Sequence, residues 1–312
     1  MRNLTPANKL IVGTVSGLLL LAMANRAPGQ EVPDALLNRG PSIDILQPEQ
    51  QALARRFLAF VAEMERKKFA RIEALNGCAN YEDREEPTEH AIWRLRVTRG
   101  PVVEKAGRAL AYEIKTAADA PSFGNVIWGR ALFLDMYPKT PLVGMLHAVI
   151  MMQFFDDGRS WAGGWLGVMP GTRVESDLAE LKASMDAVFA VHDKDPDPYR
   201  EAICKGTEGV ISEFRRKPAC VGASFYGAPV YRDDSADRNF EFIAQAFDAF
   251  TGTYFDTIQK RQNDPFTEQD VIAQNRMRKA WLVDQLFSDP FARKIVPFEV
   301  WSFTNVAPEI RF

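Results

Sequence analysis

Apolar residues recur at helical spacing from Leu53 through Phe57, Val61, Met64 and Ile72 to Leu75, which gathers them on one face of a long helix. Pro48 stands where the first turn of a helix accepts proline, and Gly77 ends the pattern. Beyond Gly77 the period shortens to two. Trp93, Leu95 and Val97 alternate with Arg94, Arg96 and Thr98, and Leu110, Tyr112 and Ile114 alternate with Ala111, Glu113 and Lys115. That alternation predicts two half-buried strands. Extended runs follow at 130–136, 142–155 and 161–169, the last two joined by Asp156-Asp157-Gly158, a hairpin sequence. Short links between successive strands predict antiparallel pairing.

Helical spacing returns after Thr172. Asp177 and Glu180 form a D-x-x-E start ahead of Leu178, Leu181, Met185 and Val188, and Tyr199, Ile203, Val210 and Phe214 form a second stripe. A strand is expected at 221–226. Phe240, Ile243, Phe247, Thr251, Tyr254 and Ile258 then make the apolar face of the clearest helix in the chain. A final helix is expected from Thr267-Glu268 through Trp281 to Leu286. A strand meander followed by helices is α+β architecture: one large antiparallel sheet flanked by α-helices, in a single domain over residues 47–312.

Composition narrows the function more than the fold. The 312 residues are 46% hydrophobic and 25% charged with a net charge of −3, which argues against a general electrostatic grip on nucleic acid. Cys78, Cys204 and Cys220 lie far apart and form no CxxC pair, so a structural zinc site is not expected; three buried thiols, or one disulfide with one thiol left over, remain open. Arg2 and Lys9 precede an apolar run at 10–24 that is short for a bilayer span, and Ala22-Met23-Ala24 fits a small-x-small cleavage site. Residues 1–24 therefore read as a signal peptide for export, the alternative being an anchor helix over 10–24. Pro28, Gly29, Pro33, Gly40 and Pro41 mark residues 25–46 as a linker. No later segment is expected to span a membrane.

Most familiar chemistry is missing from the sequence. There is no glycine-rich phosphate loop, no HExxH and no GxSxG, and His90, His147 and His192 are scattered. Asp193, Asp195 and Asp197 alternate, but Pro198 follows where a calcium loop needs glycine, so a solvated loop is expected.

Several degraded motifs occur in one order. Val103-Glu104-Lys105-Ala106-Gly107, read as a link between two strands, is similar to an FEKAG element; Pro138, Pro141 and His147 match positions of an HPxxPxxPTxHxNxRY stretch. Trp161-Ala162-Gly163-Gly164 with Pro170 falls where WFGGGxDLTP would stand, and Val221 to Tyr226 resembles GxGGxFFD. Phe240-Glu241-Phe242 through Tyr254 follows the next helix pattern, and Arg276 and Arg278 fall on an RRGRYVEFN helix. Over about Gln47 to Asp289 the chain thus resembles the aerobic coproporphyrinogen III oxidases. The resemblance implies a broad antiparallel sheet with flanking helices, a homodimer, no metal or organic cofactor, and molecular oxygen as co-substrate for oxidative decarboxylation of a tetrapyrrole.

The departures bear on mechanism. The asparagine and arginine after the histidine are Val149 and Met151, the aspartate of GGGxDLTP is Gly167, the serine and histidine before the prolines are Phe133 and Tyr137, and an expected arginine is Ala219. These changes remove a carboxylate for pyrrole N–H groups and cations for propionates, and a tetra-anionic substrate would leave buried charges unpaired. On the enzymatic reading His147 is the general acid/base, Gly163, Gly164 and Trp165 line a ring face, and Arg215 or Arg278 meets a carboxylate. Arg94, Arg96 and Arg130 are further cations that would compensate if they face the site. The competing reading is a non-catalytic exported relative that binds a less charged ligand or a protein partner, with His147 as a core histidine.

Overall fold

The computed structural model describes residues 40–114, 124–204, 217–226, 235–287 and 296–311. A 3-10 turn at Ile43–Ile45 and the buried Leu46 lead into helix α1, Pro48–Asn76, so packing begins upstream of Gln47. Gln47 and Gln50 close a reciprocal cap at its start, with Pro48 in the first turn. Gly77 ends it at φ 66°, a left-handed conformation that suits glycine, and its N–H donates to the Glu73 carbonyl at 2.8 Å.

Seven strands follow: β1 Tyr81–Pro87, β2 Ala91–Thr98, β3 Val103–Glu113, β4 Val126–Pro138, β5 Met145–Phe155, β6 Ser160–Met169 and β7 Ala223–Ser224. Their order in the sheet is their order in the chain, and every neighbouring pair is antiparallel. The helices after β6 are α2 Glu175–Val191, α3 Asp197–Cys204, α4 Ala236–Arg261, α5 Glu268–Phe287 and α6 Phe298–Thr304. The fold is α+β, a large antiparallel sheet with helices on its faces. No helix among the described residues is long and apolar enough to cross a membrane.

Register divides the sheet into two faces because side chains alternate along each strand. On one face Leu110, Leu132, Leu134, Ile150, Met152 and Leu166 form the main core with Phe57 and Val61 of α1, Met185 of α2, and Phe247 and Tyr254 of α4. Full burial of one such side chain stabilises the fold by roughly 1.5–3 kcal/mol. On the opposite face Trp93, Leu95, Ala109 and Ala131 pack beneath Val300 and Phe303 of α6. Farther along that face Tyr137, Met145 and Met169 lie with Trp281 of α5.

Several expectations need correction. Val103 to Gly107 is the start of β3 rather than a link, because these residues pair with β4. The strand at 221–226 is only Ala223–Ser224. Asp177 does not cap α2, whose N-cap position is Val174; it is buried and accepts from Arg261 Nε at 2.8 Å, tying α2 to α4. The helix through Trp281 is followed by a further one, α6. Cys204 and Cys220 form a disulfide and Cys78 is free, which rules out three unpaired thiols. Val210 and Phe214 of the stripe that starts at Tyr199, together with residues 1–24, lie outside the described residues.

Candidate acid–base site

His147 projects from β5 onto the face covered by α5 and α6. The hairpin of β4 and β5 sets it directly opposite Asp135, and β6 sets Gly167 on its other side. Asp135 is 1% exposed and its Oδ1 lies 2.6 Å from His147 Nδ1. A buried carboxylate without partners would be very costly, and two contacts answer that here. One is the imidazole; the other is the Asn305 side-chain amide, which donates to Asp135 Oδ2. His147 is 12% exposed, and its Nε2 makes no hydrogen bond among the described residues. Trp281 lies against the imidazole, ring centroids 5.1 Å apart.

The surroundings are apolar and tightly held. The Trp281 indole donates to the Asn305 carbonyl at 3.0 Å, and the Tyr137 hydroxyl donates to the same oxygen. Burial, reinforced by the Asp135 charge, pushes the Tyr137 phenol well above its usual range, so it stays a neutral donor. Lys105, on β3 across from Tyr137, donates from Nζ to the Val306 carbonyl at 2.5 Å. Its burial, with a contribution from Arg99, lowers the ammonium from 10.5 to about 8, while Asp135 and Glu82 act the other way.

The residues singled out from the sequence divide between the faces. Trp165 shares the face of His147, and its indole lies across Gly167, where a Cβ would stand 2.7 Å from Nε1. Gly163 shares it too, but the Trp161 ring covers that glycine; a Cβ there would sit 2.2 Å from the indole. Gly164 pairs with Ile150 and so turns to the main core, which means the two glycines do not form one platform. Arg278 of α5 is buried and committed: its Nη2 lies 2.5 Å from Glu104 Oε2, and Nη1 donates to the Glu309 carbonyl. Arg215 lies outside the described residues.

The further cations serve the opposite face. Arg96 binds Asp83 at 2.7 Å and Glu65 at 3.3 Å, and Arg94 lies 3.6 Å from Glu85. Arg130 donates to the carbonyls of Gly129 and Pro41 and stacks on Trp128 at 4.5 Å. None of these three arginines meets His147. Phe133, Val149 and Met151 lie on the face of His147, with Phe133 tilted against Trp93, ring centroids 5.8 Å apart, and Val149 opposite Trp165.

Chemically, a carboxylate on Nδ1 fixes the imidazole tautomer and leaves Nε2 as a proton acceptor, as a general base requires. Asp135 was not anticipated. A signal for it existed: Asp135 and His147 sit symmetrically about Pro141, and a hairpin centred there pairs them. No known family model matches the chain.

Proposed function

We propose that this chain is a divergent relative of the coproporphyrinogen III oxidases that retains one acid–base centre and applies it to an electron-rich aromatic less charged than coproporphyrinogen. The observation that carries the reading is the Asp135–His147 pair, with Nδ1 held at 2.6 Å and Nε2 bonded to none of the described residues. His147 Nε2 would take a proton from the substrate while the substrate's own electrons pass to oxygen, so no metal or organic cofactor is called for. Phe133, Val149, Met151 and Trp165 favour a flat apolar ligand, a tetrapyrrole or a smaller ring system. Export by residues 1–24 and a homodimeric state belong to the same proposal.

A second reading, a non-catalytic binding protein, is favoured by the commitment of Arg278 to Glu104 and by the Trp161 ring over Gly163. Both features reduce what the face offers to a carboxylate-rich macrocycle. Anaerobic titration with coproporphyrinogen and with its neutral tetramethyl ester, followed by oxygen and product analysis, separates the two. Oxidation of the ester above the uncatalysed rate, abolished in His147→Ala, supports the enzyme. Binding of the ester without turnover supports the binding protein, and binding of neither removes the tetrapyrrole from both readings.

A further inference from the structure

We infer that Asn305 is the positioning residue of the Asp135–His147 pair, delivered to it over the bare face of the sheet at Gly107; this deepens the acid–base reading and rests on it. Asp135 has two oxygens to satisfy in a buried place. One meets the imidazole, and the other receives the Asn305 side-chain N–H. With both oxygens held, the carboxylate plane cannot rotate away from Nδ1, and the imidazole is held with it.

The Asn305 amide is itself oriented. The Asp135 carboxylate only accepts, so it takes the NH2 end of Asn305 and turns Oδ1 to the Thr304 hydroxyl at 2.6 Å, whose one proton also faces the Val300 carbonyl at 2.8 Å. The backbone carbonyl of Asn305 is taken by Tyr137 and Trp281. Asn305 is 4% exposed, so each of these bonds is shielded from water.

The approach depends on one glycine. Gly107 stands beside Asp135 in the register of β3 and β4. A Cβ on Gly107 would lie 2.1 Å from the Thr304 carbonyl oxygen, a clash with backbone that no side-chain rotation relieves. Gly107 thus lets the end of α6 come close enough to the sheet for Asn305 to reach Asp135.

The test reads the His147 ring directly by nitrogen NMR on histidine-labelled protein, assigned with His147→Gln, so it needs no substrate. The full chain should show His147 with its proton on Nδ1 and Nε2 bare. Asn305→Ala should lower the ratio of that tautomer to its alternative about tenfold, the equilibrium equivalent of one hydrogen bond to a charged group. Gly107→Ala, which keeps the asparagine but displaces its backbone, should do the same. If Asn305→Ala does not fold, Asn305→Ser, which keeps a polar side chain too short to reach Asp135, replaces it. Wild-type tautomer populations in folded Asn305→Ala or Asn305→Ser would overturn the positioning role. An unmodified chain with its proton on Nε2 would instead overturn the acid–base reading itself, and the two failures are therefore distinct.

Discussion

Lys105 is a cation held where the fold gives it little in return. Its side chain is 2% exposed, and among the described residues Nζ donates only to the Val306 carbonyl. Burial above all, with the charge of Arg99, brings its pKa from 10.5 to about 8. Below about pH 8 the lysine is protonated in both folded and unfolded chains, and the native state carries the whole cost of burying the charge. Between about 8 and 10.5 the unfolded chain holds the extra proton, so this residue makes stability rise with pH. The shift corresponds to roughly 3 kcal/mol at 1.36 kcal/mol per pH unit. Lys105→Met keeps the length and removes the charge, but it loses about 1 kcal/mol for the bond to Val306. The variant is expected to be about 2 kcal/mol more stable than the parent near pH 7, and about 1 kcal/mol less stable above pH 10, as the balance of those two contributions. Urea unfolding of both proteins at several values from pH 6.5 to about 11 measures the difference. A difference that does not change with pH, or a variant strongly destabilised at neutral pH, would show that the buried ammonium is not the source.

Three other perturbations test separate parts of the structure. Glu65→Ala strands Arg108, whose side chain is 7% exposed and lies 2.9 Å from Glu65, and should cost about 3–5 kcal/mol. Replacing both by Leu and Met should recover most of that loss in urea unfolding, whereas equal losses in single and double variants would contradict a buried ion pair. Glu104→Gln releases Arg278, and calorimetry should then show about tenfold tighter binding of an aromatic carboxylate relative to its methyl ester, the equivalent of one charge-assisted bond; no change means Arg278 does not reach the ligand. At Gly77 no atom within 4 Å would meet a Cβ, so the cost of Gly77→Ala, about 1 kcal/mol by thermal unfolding, comes from the left-handed backbone alone; a neutral result would place the helix end elsewhere.

The central sheet was legible because β2 to β6 bury one or both faces, and burial writes alternation or apolar runs into the sequence. β1 was not, since Tyr-Glu-Asp-Arg-Glu-Glu-Pro is an exposed edge strand with almost no apolar face to reveal it. Its charges also blunt the edge against pairing with other chains. The short helix α6 escaped notice because seven residues hold too few turns for a periodic stripe. Of the site, His147 and Trp165 were named and do share a face, while Asp135, Asn305 and Gly107 were not. Asp135 is a single carboxylate in the strand run at 130–136, and Asn305 reaches it from 170 residues away, a proximity that no local pattern encodes. The direction of Gly163 and Gly164 followed from strand alternation, which sends adjacent residues to opposite faces.

The sequential order of the strands bears on how the chain comes into being. Each strand from β2 to β6 needs only the one before it, so most of the sheet can assemble in the order of synthesis, with short loops to close. The cover does not arrive in that order. Lys68 of α1 meets Asp248 of α4 across a separation of 180 residues, and the apolar rows behind β4 to β6 are only part-covered, by α1 and then α2, until α4 has been made. At roughly 5–20 residues per second, the ~90 residues from Met169 to Arg261 take on the order of 5–20 seconds to appear. For that interval the nascent chain presents a sheet that is paired at its backbone and incompletely covered on its largest hydrophobic surface, so the stage of synthesis most exposed to aggregation lies between β6 and the end of α4.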